Sequence, residues 1–246
     1  MGLLSKLFSK KLDTPADLSI LKTDMHSHLI PGIDDGSKTL DETIAILHKF
    51  KDLGYKKVIT TPHIMSDFYR NTPEIILNGL QEVKNELNRI SLNIEIEAAA
   101  EYYFDETLFN LLEEDKFLTF GGKHVLIEFS FSAAPQEHEK LFYEMRIKGY
   151  KPVIAHFERY LFYHGSIEQA LLWREKGLLI QMNINSLFGH YGPTVKKQAE
   201  MLIDAGQIDL IATDCHRLEH LSILEQNLSS NYLKKALALN LLNYKL

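Results

Sequence analysis

Asp24, His26 and His28 stand at alternate positions, and alternate side chains of an extended strand share one face. Two imidazoles so spaced can grip one divalent ion, and a nearby carboxylate, here Asp24, often fixes the tautomer of a ligating ring. Comparable endings recur down the chain. His63 follows Pro62, Glu101 and Glu128 close apolar runs, His156 ends the run 152–155, and Asp214 and His216 repeat the alternate spacing. Asp35, in the Asp-Asp-Gly loop after His28, adds a further carboxylate. These five histidines and four carboxylates suffice for a polynuclear metal site. Manganese, iron and zinc all accept mixed imidazole and carboxylate shells, and a carboxylate can bridge two ions about 3.5–4 Å apart. Such a site acidifies a trapped water and stabilises negative oxygen on a substrate, which suits phosphate ester hydrolysis.

The donors need a scaffold that carries them to one place. An extended run over 20–24 leads into the first histidines. Thr39 caps a helix striped by Leu40, Ile44, Leu47 and Phe50, and Gly54 ends it. Residues 57–61 read as a second strand; Thr72 and Pro73 open a helix running to about residue 90. Further strands are expected over 93–99, 125–127, 152–155, 178–183 and 209–213, with helices over 105–114, 135–148, 166–176, 194–205, 218–226 and 232–242. Seven strands alternating with helices imply parallel pairing with right-handed crossovers. An open sheet gathers ligands near one switch point, whereas a barrel brings every strand end round one mouth. Candidate ligands at the ends of six strands therefore predict a TIM-like barrel of seven strands.

Composition is that of a globular α/β protein: 246 residues, 45% hydrophobic and 24% charged. No apolar run reaches the ~18–20 residues of a membrane span, and no signal peptide is visible, so a cytoplasmic location is expected. A net charge of −6 argues against a nucleic-acid partner. Leu3, Leu4, Leu7 and Phe8 beside Lys6, Lys10 and Lys11 suit either a short basic amphipathic helix resting on an anionic membrane surface or a frayed tail. Residues 1–19 are thus read as an N-terminal extension and 20–246 as one domain. A cysteine-dependent phosphatase would need an arginine six residues after its nucleophile; Cys215 has Leu221 there, and alternation with Asp214 and His216 turns it away from the ligands.

The segments Asp24-Met25-His26-Ser27-His28, Thr61-Pro62-His63, Ala100-Glu101-Tyr102-Tyr103, Leu126-Ile127-Glu128-Phe129, His156-Phe157-Glu158-Arg159-Tyr160 and Thr213-Asp214-Cys215-His216 resemble the motifs of the polymerase and histidinol phosphatase (PHP) superfamily. Within it they look like the bacterial manganese-dependent protein-tyrosine phosphatases of capsule and exopolysaccharide synthesis. The resemblance implies a distorted (β/α)7 barrel holding three divalent ions, manganese by preference. One ion would be bound by His26, His28, Glu101 and Asp214; Glu101 would bridge to a second held by Glu128 and His156; Asp35, His63 and His216 would take the third. His156, Asp214 and Arg159 would be catalytic, with Arg159 the family's phosphate-contacting arginine. The family's second arginine, several residues after the last Asp-x-His, is absent from 218–222, and Arg217 or Arg70 is the expected substitute. The implied reaction is in-line attack of metal-bound hydroxide on a phosphotyrosine protein, the tail of a tyrosine kinase being the expected partner. A small-metabolite phosphatase of the histidinol phosphate kind is the alternative. Phe68, Tyr69, Tyr102 and Tyr103 are candidates for an aromatic wall at the mouth.

Overall fold

The computed structural model of the chain describes residues 14–246, so the basic stretch 1–11 lies outside the described residues. The expected first strand starts late. Leu18–Leu21 form a 3-10 turn, in which the Asp17 carboxylate accepts from the Ser19 amide at 2.9 Å. The turn buries Leu18 and Leu21 together, three positions apart on one face of a 3-10 helix, where an extended run would turn them to opposite faces. Strand β1 is only Thr23–Asp24.

The second expected strand is broken into β2 (Lys57–Thr60) and β3 (His63–Ile64), and the third into β4 (Glu95–Ala98) and β5 (Glu101–Tyr103). Pro62 has no N–H to give a ladder, and the Thr61 amide donates across to Ser27 O at 2.6 Å. β6 (His124–Glu128), β7 (Lys151–Ile154), β8 (Leu179–Asn183) and β9 (Leu210–Ala212) are continuous. All named strands pair in parallel, in the orders β1-β2-β4 and β3-β5-β6-β7-β8-β9. The two broken staves carry the order from one sheet to the other, so nine segments make seven staves. The ring closes where Ser27 bridges Cys215 in parallel and the Asp214 and His28 amides donate to His26 O and Cys215 O, both at 2.9 Å. This is the expected distorted (β/α)7 barrel.

Helices α1 (Leu40–Asp52), α2 (Pro73–Arg89), α3 (Glu106–Glu114), α4 (His138–Ile147), α5 (Glu168–Glu175), α6 (Pro193–Asp204), α7 (Leu218–Gln226) and α8 (Asn231–Leu237) surround it. Thr39 and Thr72 cap α1 and α2 by accepting from Glu42 and Ile75 amides, each at 3.2 Å, as their positions predict. On α2 the buried stripe is Ile76, Leu80, Val83 and Leu87, the three- and four-residue spacing of one helix face.

Apolar burial is divided between a helix-covered outer layer and a barrel interior of Met25, Ile59, Leu126, Val153 and Leu210. The last helix stops at Leu237 instead of running to 242, because the chain turns under the barrel. There a 3-10 turn, Leu242–Lys245, packs Leu242 and Leu246 on the interior cluster. Asn243, fully buried, locks this plug with one bond from the Ile211 amide and two to the carbonyls of Thr23 and Ile211. With the amino end sealed, the opposite end of the barrel is left to carry the polar groups.

Candidate metal centre

All nine expected ligands meet at that end. They form four overlapping groups: His28, Asp35, His63 and His216; His26, His28 and Asp214; His26, Glu101 and His156; and His63, Glu101 and Glu128. Around the first two histidines, His26 Nε2 and His28 Nε2 are 3.4 Å apart. Glu101 Oε2 lies 3.2 Å from the first nitrogen and 3.3 Å from the second, and Asp214 Oδ1 lies 3.3 and 3.5 Å from them. Donors held about 2.1 Å from one ion stand roughly 3.0–3.4 Å from each other, so this spacing is that of a coordination shell. Glu101 turns its other oxygen to His156 Nε2 at 3.0 Å, and Glu128 Oε1 is 3.5 Å from the same nitrogen. Asp35 Oδ1 is 3.6 Å from His63 Nε2 and 3.4 Å from His216 Nε2. The sharing is wider than the expected division into three sets, since His63 Nδ1 also approaches Glu101 (3.2 Å) and Glu128 (3.7 Å).

Backbone conformation aims these side chains. His156 and Asp214 have φ of +30° and +50°, a left-handed turn at the end of a stave that non-glycine residues adopt at a cost. Gly36 is required by close approach: a Cβ there would fall 2.1 Å from His28 O.

Ring tautomers follow from fixed acceptors. His28 Nδ1 is 2.8 Å from Asp34 Oδ2, His26 Nδ1 is 3.1 Å from Gln181 Oε1, and His216 Nδ1 is 3.0 Å from Asp214 O. Each acceptor demands an N–H at Nδ1, leaving three Nε2 atoms facing the carboxylates. Burial disfavours a second proton on the rings, the neighbouring carboxylates favour one at His26 and His28, and a divalent cation between ring and carboxylate takes that proton's place. His63 Nδ1 and His156 Nδ1 are buried without a hydrogen-bond partner. The donor set therefore fits divalent metal.

Asp24 does not do the tautomer-fixing work expected of it. Its carboxylate accepts from the Thr213 amide at 2.8 Å, and burial pushes its pKa up to about 7. Gln181 does that work for His26, and also accepts from the His156 amide at 2.8 Å. Asp34 serves His28 and accepts from the amides of Gly36 and His63.

The charges at the mouth are unequal. Burial pushes Glu101 and Asp214 upward, but His26 beside both, with further imidazoles, holds them well below the usual carboxylate range. Glu128 has the opposite balance: burial and the Glu101 charge raise it well above that range. Burial also lowers His156 to about 4, favouring the neutral ring that a metal requires.

The cavity above these ligands, about 250 Å³, is lined by Phe131, Arg159, His190, Tyr191, Arg217 and His220 besides seven of the candidate ligands. Arg159 Nη1 is 3.3 Å from Asp214 Oδ2, and its guanidinium carbon sits 4.3 Å from the Phe131 ring centroid and 4.4 Å from that of Tyr191. Glu158, next to Arg159 in sequence, is fully buried and accepts from the Asn183 amide and the Ser186 hydroxyl. Arg217 is at the mouth. Arg70 is exposed, does not line this cavity, and donates from Nε to Ser66 O at 2.7 Å.

Of the expected aromatic wall, Tyr102 is core, its hydroxyl accepting from the Leu118 amide. Tyr69 stacks on His63 with centroids 5.4 Å apart, and Phe68 projects into solvent. Phe131, Tyr191, Gln181 and Asn183 escaped the sequence reading. Gln181 and Asn183 carried a usable signal, as alternate polar residues in the otherwise apolar strand 178–183.

A family model for capsular polysaccharide synthesis, CpsB/CapC, matches residues 22–237. The chain is 29% identical over 201 residues to the tyrosine-protein phosphatase YwqE of Bacillus subtilis (strain 168), covering 80% of this chain and 78% of that one. It is 27% identical over 216 residues to the putative tyrosine-protein phosphatase CapC of Staphylococcus aureus, covering 87% and 84%. Among the solved structures of YwqE from Bacillus subtilis and CpsB from Streptococcus pneumoniae, described as metal-dependent tyrosine phosphatases, one chain superposes with a TM-score of 0.75 at 26% identity, covering 89% of this chain and 94% of that one. An amidohydrolase from Mycoplasma synoviae, 12% identical with a TM-score of 0.54, shares the fold alone. With most of its length matched, this chain belongs to the CpsB/CapC family of capsular polysaccharide synthesis.

Proposed function

We propose that this protein is a metal-dependent protein-tyrosine phosphatase acting on a phosphotyrosine segment of a bacterial tyrosine kinase of polysaccharide synthesis. The observation that carries the reading is the convergence of four overlapping ligand groups on one cavity that also holds the Arg159 guanidinium. The similarity to YwqE, CapC and CpsB supports the same activity. Three ions, manganese in the cell, are assigned to His26, His28, Glu101 and Asp214; to Glu101, Glu128 and His156; and to Asp35, His63 and His216. Bound divalent ions supply Lewis-acid polarisation of the phosphoryl oxygens and an acidified water.

The remaining work falls to the protein. Arg159 presents a planar fork to the phosphoryl oxygens and balances charge that develops on them. Arg217, exposed at the rim, is the second cation within reach of the anion. The buried walls exclude bulk water, which strengthens both interactions. Tyrosine has a pKa of about 10, so its oxygen departs with less help from a general acid than an alkoxide needs.

Steady-state hydrolysis of a phosphotyrosine peptide and of histidinol phosphate, with manganese and with a chelator, on the native protein and His156→Ala, tests the proposal. Manganese-dependent cleavage that favours the peptide and vanishes in the variant is expected. Preference for the metabolite would overturn the substrate, and hydrolysis surviving the chelator would overturn the metal.

A further inference from the structure

A second cleft, about 390 Å³, opens beside the catalytic cavity between the first turns of α1 and α7, and the two share Asp35, His216 and Arg217. The catalytic cavity alone, about 250 Å³, falls below the ~300–1,000 Å³ that enclose a whole small ligand. It has room for a phosphoryl group and part of its ring, so whatever the ring hangs from must lie outside. The adjoining cleft is the continuation that the surface offers.

Its lining suits a polypeptide. Ala45, Ile46 and Leu218 make an apolar floor, and Leu218 is 41% exposed although it is a large aliphatic side chain at the start of a helix. Lys38, Glu42 and Glu219 surround that floor with charge of both signs. This composition, an apolar centre within a polar rim, is that of a protein-binding patch and differs from a site for a small polar metabolite. The cleft is also built in advance. Lys38 Nζ donates to Asp34 O at 2.9 Å, and the Lys38 amide donates to Glu42 Oε2 at 2.6 Å, tying its wall to the loop that carries Asp35.

We propose that this cleft binds the polypeptide flanking the phosphotyrosine, seating one apolar side chain of the substrate on Ala45, Ile46 and Leu218. The apolar seat is a specificity site: Ala45, Ile46 and Leu218 line the cleft alone, while Asp35, His216 and Arg217 border both the cleft and the catalytic cavity. The inference rests on the phosphatase reading above and deepens it.

Ala45 is an exposed position on α1, so Ala45→Trp fills the cleft without entering the core. Leu218→Glu removes the apolar seat from the opposite wall. Both are compared with the native protein on p-nitrophenyl phosphate and on a phosphotyrosine peptide with apolar flanking residues, in manganese. Each variant is expected to raise KM for the peptide by about ten-fold, the scale of a lost apolar contact in a pocket, while kinetics on p-nitrophenyl phosphate stay within about two-fold. Because the variants sit on different helices, misfolding of one, seen as a lowered melting temperature and loss on both substrates, leaves the other to decide. Equal effects on the two substrates in a folded variant, or none on either, would overturn the cleft. Failure of the native protein to cleave the peptide at all would instead overturn the phosphatase reading.

Discussion

The Arg159 guanidinium lies 4.4 Å from the ring centroid of Tyr191, with Phe131 at 4.3 Å also stacking against it. Burial alone would lower the pKa of this arginine, yet Asp214 and its neighbours raise it, so the cation is fixed in place and charged. Each such contact is worth about 0.5–2 kcal/mol, and here it also sets the plane of the fork. Tyr191→Leu is expected to lower kcat/KM by roughly ten-fold, and Tyr191→Phe to restore most of it. In an Arg159→Ala background the same Tyr191→Leu change should have little further effect. Additive losses in the double variant would assign Tyr191 a role apart from Arg159.

Gln181 makes a second chain of dependence. Its side-chain oxygen serves both the His26 ring and the His156 amide, and its nitrogen donates to Asn183 Oδ1 at 2.9 Å. Asn183 in turn donates to Asp214 Oδ2 at 2.7 Å. Gln181→Leu leaves the ligand list intact but frees the orientation of its members. Partners of this kind are worth about 10–100-fold in metal affinity, and manganese titration should find a loss in that range. Unaltered affinity would show that the first ligands hold themselves.

Residue type and position made the nine candidate ligands that meet at the mouth legible in the sequence, because histidines and carboxylates at the ends of apolar runs have few structural uses. The barrel followed from the same regularity, since six strand ends must share one mouth. The partners of the ligands were less visible. Asp24 is close to His26 in sequence, but Gln181 fixes that ring from a strand 155 positions away. The C-terminal plug had no local signal either: helical periodicity over 232–242 continued smoothly, and only the open barrel end beneath explains why α8 stops at Leu237.

Glu128 offers a test of the site through stability. Without ions, burial and the Glu101 charge hold its carboxyl well above the normal range, so the folded state keeps a proton that the unfolded state releases near pH 4. That group therefore costs stability as pH rises from about 4 toward its folded value. Glu128→Gln removes the cost, and in the presence of a chelator its melting temperature at pH 7 should equal or exceed that of the native protein. Added manganese, which stabilises by binding the folded state alone, should then raise the melting temperature less in the variant. A melting temperature well below native in the chelator would contradict this account of Glu128.

Cys215 is fully buried, and burial together with the Asp24 charge raises its thiol well above the ordinary value. A protonated thiol pointing into the core is no nucleophile. Cys215→Ser should keep most of the turnover, with some loss of stability. Loss of turnover with ion content and melting temperature unchanged would bring cysteine chemistry back into consideration.

At the sealed end, Asn243 ties the last turn to β1 and β9 through three side-chain bonds, all buried. Asn243→Leu keeps much of the volume but strands the Ile211 amide and two carbonyls in an apolar setting. A buried group left unpaired costs about 1–3 kcal/mol, and more than one is affected. The unfolding free energy from urea titration should fall by at least about 2 kcal/mol. The ligands lie at the opposite end of the barrel, so kcat on the folded fraction should hold. A large fall in kcat without a fall in stability would mean that the plug governs the geometry of the metal mouth, a coupling along the staves that packing alone does not require.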